Sequence, residues 1–413
     1  MAEKLAIHGG RPIRNRPFPA WPIFGEEEEL ALNRALRSGN WGRQAGTEVA
    51  AFEKAFADYH QAKHGIAVVN GTVALRLALM AAGIEAGDEV IVPPYTFIAT
   101  ASAVVEANSI PIFADIQLDS FNIDPAAIEA LITPHTRAII AVHLGGLPVD
   151  LNAILDLARR YNLVLIEDAA HAHGAEYRGR RVGAIGDLGT FSFQSSKNLS
   201  CGEGGIILTN NDDLAQRCRS IHNCGRFPGG AWYEHQTLGG NYRLSEFQGA
   251  VLNAQWRRFA DQAERREENG KYLAQRLSPI PGVIPQFRGP ECTRHAYHLF
   301  SLRILAEEFG MSREALIESL AAEGIPSSFG YPLPLYRQAM FINQAFGPYR
   351  SNDASRPKPD YRKVKCPNCE TISDTQGMWF EQRLLLGTRQ DMDDIADAMV
   401  KIHASCDYAA VTE

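Results

Sequence analysis

Hydrophobic positions change their period along the chain. Between Ile66 and Thr209, short apolar runs alternate with longer stretches whose apolar residues recur every three or four positions. Short runs bounded by turn residues predict buried strands, and the longer periodic stretches predict helices. The strands fall at Ile66–Val69, Glu89–Val92, Ile112–Ala114, Ala138–Val142, Val164–Ile166, Leu188–Phe193 and Gly205–Thr209. Helical patterns lie between several of them, at Ala74–Ala82, Pro125–Leu131 and Leu151–Tyr161. Alternation of this kind predicts an α/β fold with an open, mostly parallel seven-stranded sheet between helices, and ligands at the carboxyl ends of its strands.

The flanks read differently. Residues 1–24 are rich in Pro, Arg and Gly and predict an irregular arm suited to packing on a partner subunit. Glu26 to Glu29 predict a helix start, where acids favour the helix dipole. A polar helix is expected from Ser245 to Leu277, with Asp261 and Arg265 spaced for an i,i+4 pair. It links a large domain, 25–260, to a smaller α+β domain, 261–413. Within the latter, His298–Ile304 predicts a strand, Ser312–Glu323 a helix, and the Pro- and Asn-containing stretch from Phe341 to Lys365 a long loop.

Composition narrows the classes. The 413 residues are 45% hydrophobic and carry a net charge of −7, which argues against a general nucleic-acid binder. The most apolar stretch, Gly65 to Ile84, is broken by Asn70 and Arg76 and suits strand–turn–helix, not a membrane span. The start has no apolar signal core, and seven cysteines without framework spacing suit reduced thiols, so a cytoplasmic protein is expected. Cys366-Pro367-Asn368-Cys369 has no second ligand pair at zinc spacing, so no metal is expected. Gly202-Glu203-Gly204-Gly205 lacks the last glycine of a dinucleotide fingerprint and precedes a strand.

Four segments carry chemistry. A strand ends at Asn70-Gly71-Thr72 before a helix; this is either an anion site built from free N–H groups or an ordinary connection with a Thr cap. Val164–Ile166 runs into Glu167-Asp168-Ala169-Ala170-His171. An Asp there suits a protonated ring nitrogen, a metal or a cap. Lys197 follows the apolar Phe191-Ser192-Phe193 and precedes a Gly-rich turn; desolvation at such a place favours the neutral amine that forms a Schiff base, whereas a lone lysine is ordinarily a surface charge. Gly239-Gly240-Asn241-Tyr242-Arg243-Leu244-Ser245 reads most simply as a helix cap.

Taken together, these segments resemble the DegT/DnrJ/EryC1/StrS sugar aminotransferases, a branch of the fold-type I pyridoxal-phosphate (PLP) enzymes. The likeness also runs through Gly87-Asp88-Glu89-Val90-Ile91-Val92-Pro93 and Tyr95-Thr96-Phe97, and covers nearly the whole chain. It implies that Lys197 is the catalytic, cofactor-linked lysine and shuttles the proton. It further implies that Asp168 holds the ring nitrogen, His171 meets the phenolic oxygen and Phe97 stacks on the ring. Gly71, Thr72 and Ser192 would hold the phosphate, with Asn241 contributed by the other subunit of a homodimer.

Within the family, Gly9-Gly10-Arg11-Pro12, Phe191-Ser192-Phe193-Gln194 and Cys366-Pro367-Asn368 are similar to two subgroups. These are the scyllo-inosose-type cyclitol aminotransferases and the 3-amino-5-hydroxybenzoate synthases. The resemblance implies L-glutamine or L-glutamate as donor and a ketosugar or ketocyclitol as acceptor. Hydroxyl-rich substrates want polar side chains, for which His143, Arg226, His235 and Tyr331 are candidates, each more readily structural than functional. The alternatives are a PLP-dependent dehydratase, whose relatives replace the lysine by histidine, and a non-catalytic regulatory protein.

Overall fold

The computed structural model describes residues 3–227, 229–231, 233–346 and 359–412. Seven strands form one sheet: β1 (His64–Val68), β2 (Glu89–Val92), β3 (Ile110–Phe113), β4 (Thr136–Val142), β5 (Val164–Asp168), β6 (Leu188–Ser192) and β7 (Gly205–Thr209). Their order is β1-β7-β6-β5-β4-β2-β3, and every pairing is parallel except the two made by β7. Alternate side chains enter two cores. Val90 and Val92 lie on one face with Ile140 and Ile166, while Ile91 lies on the other with Ile139 and Leu165. Burial on both faces is what makes these strands near-continuous apolar runs.

The strand ends differ from the sequence reading in instructive places. β5 continues through Glu167 and Asp168 because both are held in the ladder, Asp168 opposite Val142 and Thr190. β3 begins at Ile110 and includes Pro111, which an edge strand tolerates.

The long helix runs Glu246–Leu277, and Ser245 caps it in a reciprocal box with Gln248. It carries the chain from the central sheet to a third core built on a four-stranded antiparallel sheet of Val283–Pro285, Leu299–Ile304, Ser328–Phe329 and Gly377–Glu381. Its i,i+4 ion pair is Glu267–Lys271 at 2.9 Å; among the described residues Asp261 and Arg265 form none. A helix spans Arg313–Ala322, capped by Ser312. Of the loop expected over 341–365, residues 347–358 lie outside the described residues, and Tyr361–Lys363 form a helical turn.

The arm packs on its own chain. Arg14 pairs with Asp391 and Asp394 at 2.6 and 2.7 Å, Glu323 accepts from the amides of Ala6 and Ile13, and Leu5 and Phe18 enter the third core. Among the described residues no helix is long and apolar enough to cross a membrane.

Candidate active site

The carboxyl ends of β4, β5 and β6 open into a cavity of about 900 Å³. Lining it are Gly71, Thr72, Phe97, Asp168, His171, Ser192 and Lys197. Seven residues chosen from separate sequence segments therefore meet in one place. Asn241 does not line it; that residue is exposed and bridges Asn223.

Asp168 is 5% exposed and sits on the cavity floor, one carboxylate oxygen taking the Thr100 hydroxyl at 2.8 Å and the other the Ala170 amide at 3.2 Å. Burial raises its pKa, opposed by the Thr100 and Ala170 bonds and by Lys197. The Lys197 side chain is lowered to about 8 by desolvation, against the pull of Asp168. Its backbone N–H closes a turn onto the Gln194 carbonyl just beyond β6. Sequence placement of a lysine after an apolar strand thus has the electrostatic consequence expected of it.

The pKa of His171 is driven down by burial and then by Lys197, which favours the neutral ring. The Gly145 amide donates to its Nδ1 at 3.4 Å, so the ring proton sits on Nε2. His298, whose ring centre lies 4.3 Å from that of His171, is anchored in turn by Asn198, which immediately follows Lys197. Sequence reasoning passed over His298 and Asn198 because they lie about a hundred positions apart and neither belongs to a recognisable motif.

At the opposite end, Asn70 is the helix cap, accepting the Val73 amide at 2.9 Å, so the alternative of a Thr cap is not used. The helix is Gly71–Ala81, so the Gly71 and Thr72 amides occupy its first turn, where helical hydrogen bonds leave N–H groups unused. A Cβ on Gly71 would lie 2.8 Å from the Ser192 Cβ, and one on Gly205 only 2.5 Å from the Asn70 carbonyl oxygen. The glycines let β6 and β7 close tightly around the helix start, leaving a cradle of N–H and hydroxyl donors.

Beneath the floor, Glu167 is fully buried and accepts from His143 at 3.0 Å and from the amides of Gly183, Ile185 and Gly186, each at 2.7 Å. Burial pushes this carboxyl up, but the His143 bond and the amides outweigh it and hold it below the usual range. His143 therefore braces the end of β5 and does not face the cavity. Of the other candidate contacts, Tyr331 lines the cavity, whereas Arg226 and His235 do not. Cys366 and Cys369 are buried free thiols.

A mostly parallel sheet that presents a desolvated lysine and a buried aspartate to one cavity places the molecule among the aminotransferase-type α/β enzymes. Residues 22–356 match the DegT/DnrJ/EryC1/StrS aminotransferase family, and the chain belongs to it. It is an aminotransferase, and family membership implies PLP. It is 38% identical to an L-glutamine:2-deoxy-scyllo-inosose aminotransferase of Streptoalloteichus tenebrarius, over 97% of this chain and 98% of that one. A 3-amino-5-hydroxybenzoate synthase of Amycolatopsis mediterranei is 36% identical over 93% of this chain and 98% of its own. The crystal structure of a 3-amino-5-hydroxybenzoic acid synthase superposes with a TM-score of 0.85, at 34% identity, covering 94% of this chain and 99% of the other.

Proposed function

We propose that the chain binds pyridoxal 5′-phosphate in this cavity and moves an amino group from L-glutamine or L-glutamate to a ketocyclitol or ketosugar. The observation that carries the reading is the meeting of Lys197, Asp168, His171 and the Gly71–Ser192 cradle on one cavity. The residues fit the group: the cradle, which a single Cβ would fill, offers donors for a phosphate, and the floor offers a buried carboxylate for a ring nitrogen. The names of the two relatives support a glutamine donor and a six-membered carbocyclic acceptor.

When bound, the cofactor supplies an electron sink for the charge left as a proton departs the donor's α-carbon. The protein's own groups do the rest. Gly71, Thr72 and Ser192 would hold the phosphate, and Phe97 would lie against the ring. Asp168 keeps the ring nitrogen protonated; a cation there supplies the partner that a desolvated carboxylate lacks. The His171 Nε2–H would donate to the phenolic oxygen. Lys197, whose pKa burial brings down to about 8, keeps a neutral fraction near neutral pH that would take the α-proton and later return it. A histidine in place of Lys197 would mark a dehydratase; the lysine favours transamination.

The site is completed by a second copy of the chain, which brings Asn241 to the phosphate. Supporting this, Asn241 is exposed, and Phe24, Trp41 and Leu238 are large apolar residues 75%, 51% and 80% exposed. Seven free cysteines favour a reducing, cytoplasmic setting. The test of the reaction is nitrogen transfer: amide- and amine-labelled L-glutamine is incubated with the holoenzyme and 2-deoxy-scyllo-inosose. Label from the α-amine is expected in an aminocyclitol. A holoenzyme that passes α-nitrogen from no amino acid to any ketocyclitol or ketosugar would contradict the reading.

A further inference from the structure

Arg266, midway along the Glu246–Leu277 helix, is fully buried, yet among the described residues no carboxylate pairs with it. Its Nε and Nη2 both donate to the Gln382 Oε1, at 2.9 and 2.7 Å, and its guanidinium carbon lies 5.1 Å from the Trp21 ring centre. Nη1 is buried without a partner. Burial alone lowers this guanidinium to about 9. An uncompensated charge of this kind is costly to fold around, and its persistence calls for a function.

Its effect is to fix an amide. Guanidinium groups only donate, so the Gln382 oxygen must face Arg266 and its NH2 must face the other way. Gln382 is 3% exposed and lines the cavity. The nearest acceptor to its Nε2 is the Ser196 carbonyl at 3.5 Å, the limit of a hydrogen bond, in the residue preceding Lys197. Arg383 follows on the same wall. With Lys197, it is one of the two Lys or Arg side chains among the cavity-lining residues. Its Nε holds Glu381 at 2.9 Å and its Nη1 reaches the Pro19 carbonyl at 3.4 Å, so the guanidinium retains donors for a further acceptor.

We propose that the Gln382 amide and the Arg383 guanidinium form the subsite for the α-carboxylate of the amino-acid donor, with Arg266 as the positioning residue behind them. The inference rests on the transamination reading above and deepens it. An amino acid reacting at Lys197 carries its carboxylate on the carbon that loses the proton. That carboxylate must lie within a few ångströms of the lysine, where Ser196 and Gln382 meet. Its charge answers the buried guanidinium through one amide. A ketocyclitol carries no charge, so the same wall gives the second half-reaction only neutral hydrogen bonds, and the two substrates can share one cavity with different dependence on it.

Two unreactive probes test this by calorimetry on the holoenzyme: glutaramate, which is glutamine without its amine, and glutaramide, in which an amide replaces the carboxylate. The wild type is expected to bind glutaramate at least about 10-fold more tightly than glutaramide. Gln382→Glu sets a carboxylate against Arg266 and should weaken glutaramate about 10- to 100-fold. Arg383→Gln alters a side chain at the cavity edge, so it tests the subsite without disturbing the buried pair, and should weaken glutaramate about 10-fold. In rapid-mixing experiments the glutamine concentration giving half the maximal donor rate should rise by the same factors. The half-reaction with the keto acceptor, which meets this wall without a charge, should change by a clearly smaller factor, a split that general damage would not produce. Equal binding of the two probes by the wild type, or unchanged glutaramate affinity in both variants, would overturn the subsite. A holoenzyme that prefers glutaramate but exchanges no nitrogen with glutamine would leave the subsite standing and overturn the transamination reading.

Discussion

Lys197 and Asp168 set each other's chemistry, and their opposition has a readable pH dependence. Burial lowers the lysine to about 8, and Asp168 pulls it the other way. The neutral amine is the nucleophile, so capture of a carbonyl compound by the apoprotein should accelerate as pH rises through about 8 and level off above it. Asp168→Asn removes the opposing charge and should move that midpoint down, measured as the rate of pyridoxal phosphate uptake against pH. Lys197→Ala should lower turnover by at least about 10²–10⁴-fold while still binding the cofactor non-covalently. Undiminished transamination by that variant would remove the lysine from the mechanism. At this scale the site was legible because lysine and aspartate each stand at the end of an apolar run. His298, Asn198, Gln382 and Arg266 were not, since their roles come from tertiary contacts such as Arg266 to Gln382, 116 positions apart.

Strand ends and helix starts position these groups, and the period of the apolar residues located nearly all of them. The seven strands were visible because both faces of the sheet are buried, which writes an unbroken apolar signature. Where the reading fell short, polar residues had taken structural work. Glu167 and Asp168 extend β5 because their carboxylates are satisfied by Gly183, Ile185, Thr100 and Ala170. Asn70 caps the helix, where the alternative reading had a Thr cap. The tight junction of Gly71 with Ser192 gives a direct prediction. Gly71→Ala places a Cβ 2.8 Å from the Ser192 Cβ. The strain, about 1–3 kcal/mol, should appear as cofactor binding weakened by about 10-fold or more in a titration of the apoprotein. Unchanged affinity would mean that the cradle does not hold the phosphate.

At the scale of the whole molecule, the arm and the second subunit are what the sequence describes least. The arm's Arg14 and Phe18 serve its own C-terminal region, and Trp21, whose indole N–H bonds the Ser195 carbonyl at 2.9 Å, forms part of the cavity wall. A Pro-rich segment without periodicity carries no signal of what it packs against. Asn241 lies outside its own cavity, so the proposed sharing between subunits can be tested by mixing. Lys197→Ala and Asn241→Ala chains, each impaired alone, should regain activity when refolded together, because one site of each mixed dimer has both residues. No recovery in verified mixed dimers would place Asn241 outside the site. The most direct test of the central claim is an absorbance spectrum of the purified, PLP-reconstituted protein before and after L-glutamine. A violet band that shifts into the near-ultraviolet on adding glutamine is the predicted result, since it reports the cofactor joined to Lys197 and then released carrying the donor's nitrogen. A reconstituted protein without that band, or one whose band neither glutamine, glutamate nor alanine can move, would contradict the account.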